Sequence, residues 1–228
     1  MAAPRWKTAL DNALKKHPDA SVLQFGSLDR TSPVPHVRTL IFRGFETDSV
    51  KRTLLLMTTD IRTAKTVQII ANPAVQLAWW IPGTKEQYRI SGQASLVPSP
   101  EDDLHKHFTH HLGKASNGFD WEAKRLEVFK SMSGHMKASW LRPPPGTPLS
   151  QWPGSPPESW PSKIEGPNDV GEFPDEEQKR LWAQSLRNFA LVVVDPEEVD
   201  LVELEPIPNR RTRFWKAGGD WEDEALVP

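Results

Sequence analysis

Between residues 20 and 97 the chain breaks into five apolar segments of strand length, each ended by a turn signal or a short helix. No other feature limits the possible folds so much. The segments are Ala20–Ser27, His36–Phe45, Thr53–Thr59, Val75–Trp80 and Glu86–Val97. In the second, Val37, Thr39 and Ile41 fall on one face and Arg38, Leu40 and Phe42 on the other, as the two-residue period of a strand requires. The third is apolar almost throughout and reads as buried. Pro82-Gly83-Thr84-Lys85 links the last two as a hairpin. Short strands with turns between them and one early helix predict a mainly β chain with flanking helices. The expected form is a six- to eight-stranded antiparallel barrel rather than a doubly wound sheet.

The early helix is marked by Trp6, Leu10 and Leu14 at four-residue spacing, with Lys15, Lys16 and His17 at its negative end and Pro18 stopping it. Asp60 reads as the N-cap of a helix over 61–71. Ser99-Pro100-Glu101-Asp102 reads as another helix start. A further helix is expected from Asp175 to Leu186, then strands over Phe189–Val194 and Val199–Leu204. Ahead of that helix, residues 141–174 are rich in Pro, Gly and Ser. Residues 175–228 are too few for a domain of their own, and their strands need the sheet of the first half. The expectation is therefore a single domain over 1–228, with 141–174 an ordered surface excursion.

Several function classes are disfavoured. A net charge of −2 gives no basic footprint for nucleic acid. No cysteine means no thiolate nucleophile, disulfide or Cys-based metal site, which fits a reducing compartment. The first residues lack an apolar leader core, and no apolar run reaches membrane-spanning length. The location expected is cytoplasmic, without membrane association. No Gly-x-Gly-x-x-Gly follows a strand, and no P-loop motif occurs. His105, His107, His110 and His111 have no third-ligand pattern of the zinc-enzyme type and read as a solvated helix face, so no metal is expected. No residue stands out as a catalytic acid, base or nucleophile.

Cations at the ends of apolar segments remain. Arg62 and Lys65, with Thr63 between them, fall at the start of the helix after Asp60. Such a position suits an anion, because backbone N–H groups and cationic side chains converge there. Arg38 projects from a preceding strand, and Arg43, five residues on, would face the other side of a regular strand. One could then reach a cofactor and the other a substrate. By charge alone, these residues read more readily as an ordinary solvated surface.

The order of the elements resembles the pyridoxamine 5′-phosphate oxidase-like family of FMN-binding split β-barrels. The resemblance is carried by Arg38-Thr39-Leu40-Ile41-Phe42-Arg43, by Thr58-Thr59, by the run from Arg62-Thr63-Ala64-Lys65 to Asn72-Pro73, and by Gln87-Tyr88-Arg89-Ile90-Ser91-Gly92. It implies FMN bound non-covalently in a groove at the interface of a homodimer. It implies flavin and phosphate contacts from Arg38, Thr39, Leu40, Thr58, Thr59, Arg62, Thr63, Lys65, Gln87 and Arg213, and a small anionic substrate met by Arg43 and Arg210. The C-terminal Arg-Leu-His-Asp-Arg motif of the vitamin-processing oxidases corresponds here to Asn209-Arg210-Arg211-Thr212-Arg213-Phe214, which has no His. Val202 stands about where those oxidases carry a Trp. Three functions compete. The first is an oxidoreductase related to pyridoxamine/pyridoxine 5′-phosphate oxidase with its substrate unassigned. The second is an FMN-binding or sensing module without turnover. The third is a dimeric interaction protein that has lost its cofactor, against which Arg38, Lys65 and Gln87 argue.

Overall fold

A computed structural model describes residues 3–29, 34–108, 112 and 118–228. The strands are β1 (Val22–Leu28), β2 (Pro35–Thr47), β3 (Thr53–Asp60), β4 (Ala74–Ile81), β5 (Glu86–Val97), β6 (Phe189–Glu203), β7 (Arg210–Ala217) and β8 (Asp220–Leu226). They form one sheet in the order β3-β2-β1-β4-β5-β6-β7-β8, and β3 also pairs with β6. That pairing closes six strands into an antiparallel barrel, and β7 and β8 add two more strands beyond it. The expected mainly β barrel is the fold observed.

Alternation builds the core. Leu23, Phe25 and Ser27 of β1 and Val75, Leu77, Trp79 and Ile81 of β4 are buried, while Val22, Gln24, Leu28, Ala74, Gln76, Ala78 and Trp80 are exposed. Leu54 to Met57 of β3 are all buried. Each large apolar side chain removed from water contributes roughly 1.5–3 kcal/mol. The register of β2 shifts at Phe42/Gly44, where Gly44 takes φ 141°, a conformation strained for any residue with a Cβ. The shift brings Phe42 and Phe45 to 4.9 Å of each other, with Phe42 also 4.9 Å from Trp79. Helix α1 (Arg5–Lys16) adds Trp6, Leu10 and Ala13 to this core. Leu14, at the same four-residue spacing, is half-buried.

Three local expectations are corrected. Asp60 ends β3, and helix α2 begins later, at Ala64–Ala71. The Asp60 carboxylate accepts from the Arg62 backbone N–H at 2.9 Å, and its carbonyl accepts from Thr63 N–H at 3.2 Å. Asp60 therefore closes a tight turn instead of capping the helix. The Ser99 segment likewise forms successive turns, with Leu104 N–H on the Asp102 carboxylate, before the short α3 (His105–Phe108). The two strands expected after residue 188 are one, β6, continuous through Asp195-Pro196.

The chain divides into two compact units. One comprises Met1–Met57, Gln68–Ser95 and Val193–Pro228, the other Thr58–Val67 and Leu96–Val192. The second contains α3, α4 (Trp121–Ser131), α5 (Gly134–Ser139) and α6 (Glu176–Asn188). Asp120, Ser133 and Asp175 cap α4, α5 and α6 with their side-chain oxygens. The Pro-rich stretch is held by contacts that glycine permits. A Cβ on Gly134 would lie 2.4 Å from the Ile164 carbonyl, and one on Gly166 would lie 2.5 Å from the Trp182 ring. Trp152 donates to Thr147, and Trp160 to the Ser155 carbonyl, both at 3.1 Å. No helix among the described residues is long and apolar enough to cross a membrane.

Candidate functional site

The sequence-predicted residues fall into two groups, one per unit. In the first unit, Arg38 opposes Phe25 across the β1–β2 ladder, and its guanidinium lies over the Phe25 ring at 6.0 Å. It donates through Nη1 to Ser27 Oγ at 2.6 Å and through Nη2 to Gln68 Oε1 at 2.9 Å. Neither acceptor is charged. Burial alone moves the Arg38 pKa, downward, with no carboxylate opposing it. The group stays protonated, since arginine's ordinary value is far above neutrality. Arg43, at the β2 bulge, is half-buried, shifted downward by burial only, and its Nε is enclosed with no hydrogen-bond partner among the described residues. Thr39 points outward and donates to Gln24 at 3.2 Å, and Leu40 is buried.

The motif strand β5 divides its residues between jobs. Gln87 stands opposite Trp80 and accepts from Arg89 Nε at 2.9 Å. Tyr88 is fully buried and donates to Glu86 at 2.8 Å. Burial, reinforced by Glu86, pushes its phenol above the ordinary value. Gly92 is required by backbone packing, because a Cβ there would lie 2.2 Å from the Asp195 carbonyl. This part of the motif is structural. On β7, Arg213 is paired with Glu198 at 2.6 Å and lies 3.9 Å from Glu224. Those partners raise its pKa. Arg211 is paired with Asp200 at 2.7 Å, and Arg210 is exposed at the strand's start.

In the second unit, three polar side chains converge. Lys65 Nζ donates to Thr59 Oγ1 at 2.9 Å and Thr63 Oγ1 at 3.1 Å, and the two hydroxyls lie 3.3 Å apart. Thr58 precedes them on β3, half-buried. Arg62 is differently employed. Its guanidinium grips the Asp60 carboxylate at 2.6 and 2.9 Å and donates to the carbonyls of Trp140 and Arg142 at 3.1 and 3.0 Å. Asn188 donates to the same Trp140 carbonyl and accepts from the Ile61 N–H. The turn carrying Thr63 is thereby braced against the start of the Pro-rich stretch.

Of the histidines, His105 and His107 lie on α3, while His110 and His111 lie outside the described residues. Among the described residues no three His, Cys, Asp or Glu side chains gather to hold a metal. Sequence reasoning missed Ser27 and Gln68. A serine late in a strand and a glutamine inside a helix carry no spacing signal, and only the fold brings them to Arg38.

Residues 3–98 match the family profile described as pyridoxamine 5′-phosphate oxidase, FMN-binding domain. The chain is 24% identical over 212 residues to pyridoxine/pyridoxamine 5′-phosphate oxidase 2 of Arabidopsis thaliana, covering 92% of this chain and 87% of that one. A crystal structure of a pyridoxamine 5′-phosphate oxidase-related, FMN-binding protein from Nostoc punctiforme is similar over the whole length of both chains. Its TM-score is 0.69 and its sequence identity 27%. PhzG from Burkholderia lata, solved with tetrahydrophenazine-1-carboxylic acid, has the same fold at TM-score 0.59 and 14% identity, over 100% of this chain and 98% of that one. Residues 3–98 thus match the pyridoxamine 5′-phosphate oxidase FMN-binding domain profile, and the chain as a whole has the barrel fold of pyridoxamine 5′-phosphate oxidase-related, FMN-binding proteins.

Proposed function

We propose that this chain binds FMN and acts as an oxidoreductase on a small anionic molecule, working as a homodimer. The observation that carries this reading is that Arg38 and Arg43, both on β2, are partly desolvated guanidinium groups with no carboxylate partner among the described residues. A protein rarely buries a cation without a counter-charge, because desolvation is costly. An anionic ligand supplies that charge. The hydroxyl-flanked Lys65 offers a second cation of the kind phosphate recognition uses. The FMN contacts proposed are those the family resemblance implies, namely Arg38, Thr39, Leu40, Thr58, Thr59, Arg62, Thr63, Lys65, Gln87 and Arg213. Arg213 would have to exchange Glu198 for the cofactor, and Arg62 its Asp60 pair, whereas Arg38 needs no exchange. Arg43 and Arg210 are the proposed substrate cations.

Bound FMN would supply hydride and electron transfer at its isoalloxazine ring. The chain's own part is to bind and orient. Arg38 and Lys65 hold phosphate charge, and Arg43, half-buried and unpaired at Nε, receives an anionic group of the substrate. For the dimer, support comes from the outer face of β1, β2 and β4. Val22, Leu28, Val37 and Trp80 are exposed there, beside a groove of about 450 Å³ lined by Gly26, Val37, Ala74 and Ala78 among others. Exposed apolar sheet faces commonly mark association surfaces, and the occupant proposed is a second copy of this chain. The second reading, FMN binding without turnover, is favoured by the engagement of Arg211 and Arg213 with Asp200 and Glu198 and by the absence of His in 209–214.

The visible spectrum of the purified protein, followed by titration of cofactor-free protein with FMN and riboflavin, tests the reading. A flavin spectrum and clear preference for FMN are expected. Equal affinity for the two flavins would remove the case for a phosphate site.

A further inference from the structure

Arg38 sits in a closed triangle of hydrogen bonds. Nη1 donates to Ser27 Oγ at 2.6 Å, Nη2 donates to Gln68 Oε1 at 2.9 Å, and Ser27 Oγ donates to the same Gln68 oxygen at 2.7 Å. Ser27 and Gln68 are 2% and 5% exposed, so this triangle is shielded from water on their side. The chemistry fixes the amide's orientation. A guanidinium has only donors, so Gln68 must present oxygen to it, and the serine proton must point to that oxygen as well. Three elements supply the parts. Ser27 faces inward near the end of β1, Arg38 projects from β2 toward the same side, and Gln68 comes from the middle of α2.

We infer that Ser27 and Gln68 are positioning residues that aim Arg38 at the phosphate of FMN while leaving its charge unneutralised. The inference rests on the proposed binding of FMN. Two features of the triangle support it. First, it immobilises a long side chain before any ligand arrives, removing rotamer entropy that binding would otherwise lose. Second, both acceptors are neutral. A glutamate at 68 would have the same length and reach, and would hold Arg38 more tightly as a charge-assisted pair. It would also cancel the charge an incoming phosphate needs. Other arginines here, Arg52, Arg62, Arg125 and Arg211, are paired with carboxylates. Arg38 is oriented instead by an amide and a hydroxyl, which supply direction without a counter-ion.

The test substitutes Gln68→Glu in the full chain and titrates cofactor-free protein with FMN and, separately, riboflavin, alongside thermal melts. Wild type is expected to favour FMN. Gln68→Glu is expected to lower the FMN-to-riboflavin affinity ratio about tenfold or more, with riboflavin affinity and melting temperature at or above wild type. A merely structural role would move both flavins together or lower the melt. A wild-type preference that survives Gln68→Glu unchanged overturns the positioning inference and leaves the FMN reading intact. A wild type without preference overturns the FMN reading itself, and the inference with it. Should Gln68→Glu fail to fold, Ser27→Ala takes its place. It removes one of the two aims, and an unchanged ratio there overturns the inference equally.

Discussion

The guanidinium of Arg62 donates to the backbone carbonyl of Trp140 at 3.1 Å, joining two residues 78 positions apart in the chain. With the Asp60 pair and the Arg142 carbonyl it makes Arg62 a strut between the β3–α2 turn and the root of the Pro-rich stretch. Arg62→Ala leaves the nearly buried Asp60 carboxylate without its cation and two carbonyls without a donor. A loss of stability of about 1.5–3 kcal/mol is expected, read as a lower urea midpoint. An unchanged midpoint would show that water replaces the strut at no cost.

Gly92 and Asp195 give a second, purely steric prediction. Gly92→Ala would place a methyl group 2.2 Å from the Asp195 carbonyl, inside the closest separation that atoms tolerate. The obstacle is backbone, so it cannot rotate away. Overpacking of this kind costs about 1–3 kcal/mol, which converts at roughly 2–4 °C per kcal/mol for a chain of this length. Differential scanning fluorimetry that finds Gly92→Ala as stable as wild type would contradict the geometry.

The strands were legible in the sequence because alternation is local: Val37, Thr39 and Ile41 against Arg38, Leu40 and Phe42 needs no knowledge of the rest. β6 is one strand although Asp195-Pro196 is a strong local break signal, because pairing with its neighbours overrides that signal. Asp60 has the signature of a helix cap in sequence, but the same carboxylate serves a tight turn equally well. The Arg38 triangle was not legible at all. Its members are 11, 30 and 41 residues apart, and nothing in a serine or glutamine announces a distant arginine.

Single removal of the proposed phosphate cations should weaken FMN binding selectively. Arg38→Ala and Lys65→Ala each delete a charged donor, at an expected cost on the order of 1.5–3 kcal/mol in FMN affinity. Riboflavin affinity should change far less. Isothermal titration of both flavins checks this, and a loss equal for the two would reassign the residues to folding. His107→Ala should leave FMN affinity and metal content alone, and loss of a stoichiometric metal would identify the histidine segment as a metal site.

In solution the chain is expected to be a dimer. The outer face of β1, β2 and β4 exposes Val22, Leu28, Val37 and Trp80, and exposed apolar side chains on a sheet face suit an association surface. Sedimentation equilibrium should give twice the chain mass. Val37→Glu, two-thirds exposed at the groove, should shift the protein toward monomer without unfolding it. A wild-type monomer that still holds FMN tightly would contradict both the surface assignment and the interfacial cofactor.

Oxidation of pyridoxine 5′-phosphate is expected to be weak or absent. A substrate of that class presents a phosphate and a hydrogen-bonding ring, and the matched stretch Asn209–Phe214 brings arginines without an imidazole. Two of those arginines are occupied, Arg211 by Asp200 and Arg213 by Glu198. To accept a substrate phosphate they would first have to give up those carboxylates. A site built around a hydrogen-bonded substrate loses orders of magnitude in rate when one buried partner is missing. The assay is aerobic formation of pyridoxal 5′-phosphate from the pyridoxine and pyridoxamine phosphates by FMN-loaded protein. Turnover near the typical enzyme median of about 10 s⁻¹ would show that the missing His is dispensable and that Arg43 and Arg210 suffice. Turnover far below that, with FMN tightly held, would direct the search to other anionic substrates that Arg43 can meet.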